Sequence, residues 1–299
     1  MTAQNKPAAE ITIDKVMVRD LLASQMPDLA ELDIVAGPSG FDNFLFRVGD
    51  VLAARLPRRQ MGADLVAAEQ RWLPILAPGL PLPIAAPFRC GVAQDEYPWA
   101  WSVVPWIDGE VAAGAELRTS TDAAHALGEF VAALHLPAPS DAPISPHRGG
   151  PLTSRVDAYE NRRSAAADLM DVAAVDHAWQ RCLDAPKFDD EPVWLHGDLH
   201  PGNVIVRDGV VAGVIDFGDM CSGDPATDLA IAFMMFDRAD REAFRSAAGA
   251  VTAIDDDTWL RACGWALTLG VMHLVHSADG PMHEIIGRRA IDAVIAELL

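Results

Sequence analysis

Positive charge is scarce in this chain. Its 23 Lys and Arg face 43 Asp and Glu, which leaves a formal charge of −20 at pH 7 over 299 residues. A protein that grips a phosphate backbone needs a basic face, so nucleic acid is not an expected partner. An acidic surface suits cationic ligands, or serves solubility alone. Cysteine is scarce too. Cys90, Cys182, Cys221 and Cys263 form no C-x-x-C pair and no zinc spacing, so reduced, mostly buried thiols of a cytoplasmic protein are expected. Long apolar runs are missing. Stretches such as "LAIAFMMF" stop far short of the ~20 residues that span a bilayer, and no membrane partner is expected. The opening "MTAQNKPAAEITIDKV" has no basic segment leading into an apolar core, so no secretion signal is expected. No G-x-x-x-x-G-K-[ST] occurs, which excludes a P-loop.

What is present divides by character. "DKVMVRDLLASQM" carries apolar residues at helical spacing. "LDIVAGPSGFDNFLFRVGDVLAARLP" then reads as three short antiparallel strands separated by Gly-rich turns. "GADLVAAEQRWLPILA" returns to helical period, and further strands are expected around "FRCGVA" and "WAWSVVPW". Past a hinge near Pro105–Gly109, helices dominate, beginning with the capped segment "TDAAHALGEFVAALH". The pattern predicts an α+β chain with a β-rich N-terminal part and a mainly helical C-terminal part.

One β-rich island interrupts the helices, "LHGDLHPGNVIVRDGVVAGVIDFGD". Asp208-Gly209 is a strong two-residue hairpin turn. It predicts that Arg207 pairs with Val210, Ile205 with Ala212 and Asn203 with Val214. Asp216 then falls at the same end of the ribbon as Asn203. Two oxygen-bearing side chains at one hairpin mouth suit a hard cation that completes its shell with substrate phosphates. Asp198, five residues before Asn203, gives the spacing Asp-x4-Asn of a kinase catalytic loop, where the Asp accepts a hydroxyl proton and the Asn binds magnesium. Alone that spacing is weak. H-G-D-x4-N, a hairpin and I-D-F-G in order are far more specific.

These motifs, "HGDLHPGN", "GVIDFGD" and "DPATDLA", resemble the aminoglycoside and macrolide phosphotransferase family, choline-kinase-like enzymes with a two-lobed protein-kinase-like fold. The resemblance implies a nucleotide-binding lobe over residues 1–105 and a helical lobe over 106–299 that carries the catalytic loop and substrate site. It implies Asp198 as catalytic base, and Asn203 and Asp216 as holders of Mg²⁺ on the phosphates of ATP or GTP. Asp228 would brace the catalytic loop through its backbone, and Asp224 would shape the loop before the next helix. "GPSGFDN" sits where this family places its phosphate-covering loop, which brings in Ser39 and Gly40. The adenine or guanine would lie near Ser102–Ile107, against Val104 and Trp106. The family usually offers Lys on a following strand, paired to a Glu. The matching residues here are Arg55 and Glu69, and Arg forks onto phosphate or carboxylate where Lys is a point charge. Arg at this position, in "RLPRR", resembles the macrolide branch.

The implied activity is transfer of a nucleotide γ-phosphoryl group to a hydroxyl of a small molecule, an antibiotic of the aminoglycoside or macrolide type. A housekeeping hydroxylated metabolite and a nucleotide-binding pseudokinase are the alternatives. Ammonium-bearing acceptors would want carboxylates, for which Asp237, Asp240, Asp255 to Asp257 and Glu284 are available. A zinc site on His196 and His200 fails because Gly197, Pro201 and Gly202 break the helix that H-x3-H requires, and a loop-bracing role suits His196 better. A metallophosphatase would need two metals on separate Asp and His motifs, and Gly202-Asn203 follows Asp198 too closely.

Overall fold

The computed structural model describes residues 7–37, 40–94 and 96–299. The chain divides into two compact units, one within Lys6–Pro78 and Pro83–Asp108, the other spanning Gly109–Leu299 with the short piece Gly79–Leu82.

The N-terminal unit holds α1 (Lys15–Gln25), α2 (Pro27–Ala30), β1 (Ile34–Ala36), β2 (Asn43–Val48), β3 (Leu52–Pro57), α3 (Gln60–Leu76), β4 (Arg89–Gly91) and β5 (Trp101–Pro105). Its five strands form an antiparallel sheet in the order β1-β2-β3-β5-β4. Asp14 starts α1 by accepting from the amides of Val16 and Met17, both at 2.9 Å, which satisfies two of the donors that a helix start leaves unpaired. Val18, Leu21 and Leu22 then face inward at helical spacing and join Phe46, Val48, Leu56 and Trp101 in one core. Burying side chains of this kind stabilises by about 1.5–3 kcal/mol each.

The C-terminal unit comprises β6 (Glu110–Val111), α4 (Ser120–Leu134), α5 (Val156–Ala165), α6 (Val172–Leu183), β7 (Val193–Leu195), β8 (Val204–Arg207), β9 (Val210–Val214), β10 (Cys221–Gly223), α7 (Ala226–Leu229), α8 (Ile231–Met235), α9 (Arg238–Ala248), α10 (Asp256–Val275) and α11 (Pro281–Leu298). α10 is the central element. Beyond its first turn it is buried on nearly every side, as expected for a helix with apolar residues all round. Asp255 caps it by accepting from the Thr258 amide at 2.7 Å. Three of the four cysteines are buried and Cys90 is exposed, with no disulfide among them. No helix of the described residues is long and apolar enough to cross a membrane.

The architecture is the α+β one that the sequence suggested, with one correction in register. Arg207 opposes Val210 as expected, but a bulge between Ile205 and Val206 sets Ile205 against Gly213 and Val204 against Val214. The bulge places one extra residue on β9, so Ile215, in place of Val214, lies across from Asn203: its amide donates to the Asn203 carbonyl at 2.9 Å. The turn is of the expected kind, with Asp208 at φ 52° and Gly209 at φ 75°. β6 adds a third strand to the ribbon.

Candidate active site

The loop from His196 to Asn203 is fixed from below by one buried carboxylate. Asp228, at the end of α7, accepts from the backbone amides of His196 at 2.7 Å and Gly197 at 2.9 Å, and its Oδ2 lies 3.3 Å from the His135 ring. Charge-assisted bonds to two consecutive amides hold the chain in one conformation. This is the brace through the backbone that the sequence implied. Asp224 plays the neighbouring part. It accepts from the Ala226 amide at 3.0 Å and pairs through both oxygens with buried Arg261, at 2.7 and 3.3 Å.

His196 is fully buried. Its Nε2 donates to the Ile215 carbonyl at 3.0 Å, its Nδ1 lies 3.3 Å from the Asp198 amide, and its ring packs on Phe217 with centroids 4.4 Å apart. These partners assign the ring proton to Nε2. The histidine joins the loop to the far end of β9, and no zinc role is needed for it. Gly197 makes the same joint closer. It has φ +83°, and a Cβ there would meet the Asp219 carbonyl at 2.1 Å, so only glycine fits.

Asp198 projects from this braced loop. Arg148 donates to its Oδ1 at 2.7 Å, and His200 Nε2 lies 3.4 Å from its Oδ2. Arg148 also lies 3.5 Å from Asp219. Burial alone would raise the Asp198 pKa, but the Arg148 guanidinium, then His200 and His273, hold it well below the usual carboxylate range. Asp219 moves the other way, because burial and the neighbouring charges of Asp198 and Asp216 outweigh Arg148.

Asn203 is tied to both sides of the site. Its Nδ2 donates to the Asp198 carbonyl at 2.9 Å, and its own carbonyl accepts from Ile215. With the amide nitrogen engaged, Oδ1 is left to accept or to ligate. Asp216 follows directly, exposed and at φ 63°, a region that Asp tolerates better than most residues. No cluster of three or more His, Cys, Asp or Glu able to hold a metal exists among the described residues. Asn203 and Asp216 supply hard oxygens only, which fits Mg²⁺, a cation bound through one or two protein groups with water and phosphates completing its shell.

In the N-terminal unit, Arg55 of β3 and Glu69 of α3 are both buried, and one nitrogen, Nη1, reaches both Glu69 oxygens at 2.5 Å. With the Asn43 amide oriented to satisfy its neighbours, its oxygen accepts from Arg55 Nε at 3.2 Å and Nη2 at 3.0 Å. Val104 is buried in β5, opposite Ala53. Trp106 donates its indole N–H to Asp108 at 2.7 Å and carries Arg47 over its ring at 5.1 Å. Gly40 is exposed, its carbonyl 3.4 Å from Arg58. Ser39 lies outside the described residues.

Most of the acids offered to a cationic acceptor are engaged elsewhere. Asp237 and Asp255 cap helices, Asp240 accepts from Thr121 at 2.6 Å, Asp256 pairs with Arg245 and Glu284 with Arg288. Two residues at Asp198 escaped sequence reasoning. Arg148 lies fifty residues upstream in "SPHRGGPL", with no periodicity to mark it. His200 was visible, but only the Gly202 amide donating to its Nδ1 at 3.0 Å aims Nε2 at Asp198.

The fold has clear likenesses among solved structures. The GDP complex of wild-type aminoglycoside 2'-phosphotransferase-IIIa aligns with a TM-score of 0.69 at 19% identity, covering 96% of this chain and 100% of that one. The apoenzyme of macrolide 2'-phosphotransferase MphH from Brachybacterium faecium aligns with a TM-score of 0.62 at 21% identity, covering 91% and 97%. The streptomycin-ATP-APH(2")-IIa ternary complex gives 0.59 at 18% identity, covering 89% and 91%. No curated protein sequence matches the chain. The architecture is therefore that of the kinase-like antibiotic phosphotransferases. The model of the phosphotransferase enzyme family matches residues 33–265, and the chain belongs to that family.

Proposed function

We propose that the protein transfers the γ-phosphoryl group of ATP or GTP to an alcohol of a small molecule, with Asp198 as the group that orients the hydroxyl and takes its proton. The observation that carries this reading is the pair of bonds that ties the Asp198 backbone carbonyl to Asn203 Nδ2 and the Asn203 carbonyl to the Ile215 amide, one residue before Asp216. The acceptor oxygen forms a bond to the γ-phosphorus, the bond from phosphorus to the bridging oxygen breaks, and the nucleoside diphosphate leaves with that electron pair. Asp198, held ionised by Arg148, is a weak base. It aligns the hydroxyl first and takes the proton late, as suits a loose transition state in which positioning and electrostatics dominate.

Asn203 Oδ1 and the Asp216 carboxylate would hold Mg²⁺, whose contribution there is neutralisation of phosphate charge. Residues 1–105 would serve the nucleotide, with Ser39 and Gly40 at its phosphates, Arg55 fixed by Glu69, and Val104 and Trp106 at its base. Aminoglycosides and macrolides are the first acceptors to test, because solved enzymes of this fold are named for them.

The test is release of ADP or GDP by purified protein with Mg²⁺, across aminoglycosides, macrolides and hydroxylated metabolites, with Asp198→Ala alongside. Acceptor-dependent release that disappears in the variant is expected. Near-wild-type turnover by Asp198→Ala, or failure of the wild type to bind either nucleotide, would overturn the reading.

A further inference from the structure

Arg148 uses a fraction of what a guanidinium offers. Its Nη2 donates to Asp198 Oδ1 at 2.7 Å and lies 3.5 Å from Asp219 Oδ2. Its Nη1 reaches the His147 carbonyl at 3.4 Å, and its Nε is buried without a partner among the described residues. One nitrogen therefore meets two carboxylates, and the two-pronged fork that arginine often lays on a carboxylate is not made. Elsewhere in the chain it is made. Arg89 sets two nitrogens on the two oxygens of Asp28 at 3.2 and 2.9 Å, and Arg163 does the same on Asp176. Buried Arg261 forks onto Asp224 at 2.7 and 3.3 Å.

The backbones around Arg148 are pinned, so side-chain torsions decide how this cation is shared. Gly149, the next residue, has φ +69°; its amide donates to Thr227 Oγ1 at 3.2 Å and its carbonyl accepts from the Asp224 amide at 2.9 Å. A Cβ on Gly149 would meet the Leu195 side chain at 2.9 Å, which seats the loop between α4 and α5 against β7. Asp198 leaves the loop braced by Asp228, and the Asp219 backbone is wedged against Gly197. Asp219 is thus the group that competes with Asp198 for Arg148 Nη2. Opposite charges at such a distance attract strongly where water is largely excluded.

We propose that Asp219 is a positioning residue that acts through Arg148: it keeps the guanidinium on one oxygen of Asp198 and so leaves the other, Oδ2, for the acceptor hydroxyl. Its part in turnover rests on the phosphotransfer reading, while the pairing it enforces does not. Without the Asp219 charge, Arg148 closes onto both oxygens of Asp198, as Arg261 does on Asp224, and the carboxylate that should take the proton is covered.

The test begins with crystal structures of the nucleotide-free full chain, wild type and Asp219→Asn. Between Arg148 nitrogens and Asp198 oxygens, one contact below about 3.3 Å is expected in the wild type and two in the variant. One in both, or two in both, would overturn the proposal. Should Asp219→Asn fail to fold, Asp219→Ser carries the same comparison, and Asp219→Glu, which keeps the charge, should keep the single contact.

Turnover gives the second reading, on each aminoglycoside, macrolide or hydroxylated metabolite that supports ADP or GDP release by the wild type. Asp219→Asn should lower kcat by about tenfold or more with the nucleotide KM unchanged. Adding Arg148→Lys should recover part of the loss, because an ammonium cannot fork. A second substitution would not relieve a merely structural defect. A double variant no faster than Asp219→Asn, or a rise in the nucleotide KM alone, would sink the positioning role. A closed Arg148–Asp198 pair in Asp219→Asn, with no turnover by the wild type on any acceptor, would sink the phosphotransfer reading and leave the pairing standing.

Discussion

Each unit of the molecule contains a buried arginine paired with a carboxylate, and the two pairs differ in what they leave open. The arginines are alike, with the Arg55 side chain 10% exposed and that of Arg148 9%. Their partners are not: the Glu69 side chain is 3% exposed and that of Asp198 23%. Glu69 brings both oxygens onto a single nitrogen of Arg55 and locks a helix to a strand. Asp198 gives one oxygen to Arg148 and keeps the other 3.4 Å from His200 Nε2. The same pairing chemistry makes a strut in one unit and a charged, reachable carboxylate in the other.

The largest effect that would test this contrast is on rate. Asp198→Asn should lower kcat by about 10²–10⁴-fold with nucleotide affinity retained, measured by steady-state turnover and direct nucleotide titration. Unchanged kcat would remove the distinction between the two pairs. Glu69→Gln should act on stability instead, by about 3–5 kcal/mol in denaturant unfolding, because it leaves a buried guanidinium facing a neutral amide. A loss below about 1 kcal/mol would show that the strut is not closed.

Arg55→Lys sharpens the same pair. One nitrogen already serves both Glu69 oxygens, so an ammonium can replace it, and losing the contacts to Asn43 should cost about 1–2 kcal/mol. A cost equal to that of Glu69→Gln would mean that the planar fork is essential. The smallest effect concerns acid. Burial, then the charge of His200, holds His273 well below its ordinary value. A histidine whose folded pKa is depressed supports the fold fully above its unfolded value of about 6.5, and stability declines as pH falls below that value, until the folded form also titrates. Melting temperature should therefore drop between about pH 7.5 and 5.5, and His273→Gln should flatten part of that slope. An identical slope would detach His273 from the Asp198 surroundings.

Much of this was legible in the sequence because the signals were local. Asp208-Gly209 makes its turn, and Asp228 reaches back to the loop named by the motif. The bulge was not legible, since nothing in "VVAG" marks which residue of a β-branched and small run will lose its pairing. α11 had signals that went unread: Pro281 in its first turn, Glu284 close behind, and Ile286, Ala290, Ile291 and Val294 at helical spacing. Arg148 could not be found in advance, because only folding carries it to a loop fifty residues downstream.

The closeness of Gly197 to Asp219 has a kinetic consequence. The loop at 196–203 and the segment at 215–219 are joined by the His196–Ile215 bond at 3.0 Å, by the His196 ring on Phe217, and by a glycine with no room for a methyl group. Neither stretch can peel away while the other stays in place. Their amide hydrogens should exchange with deuterium as one cooperative block, at a single opening free energy, and a side chain at position 197 should split that block in two.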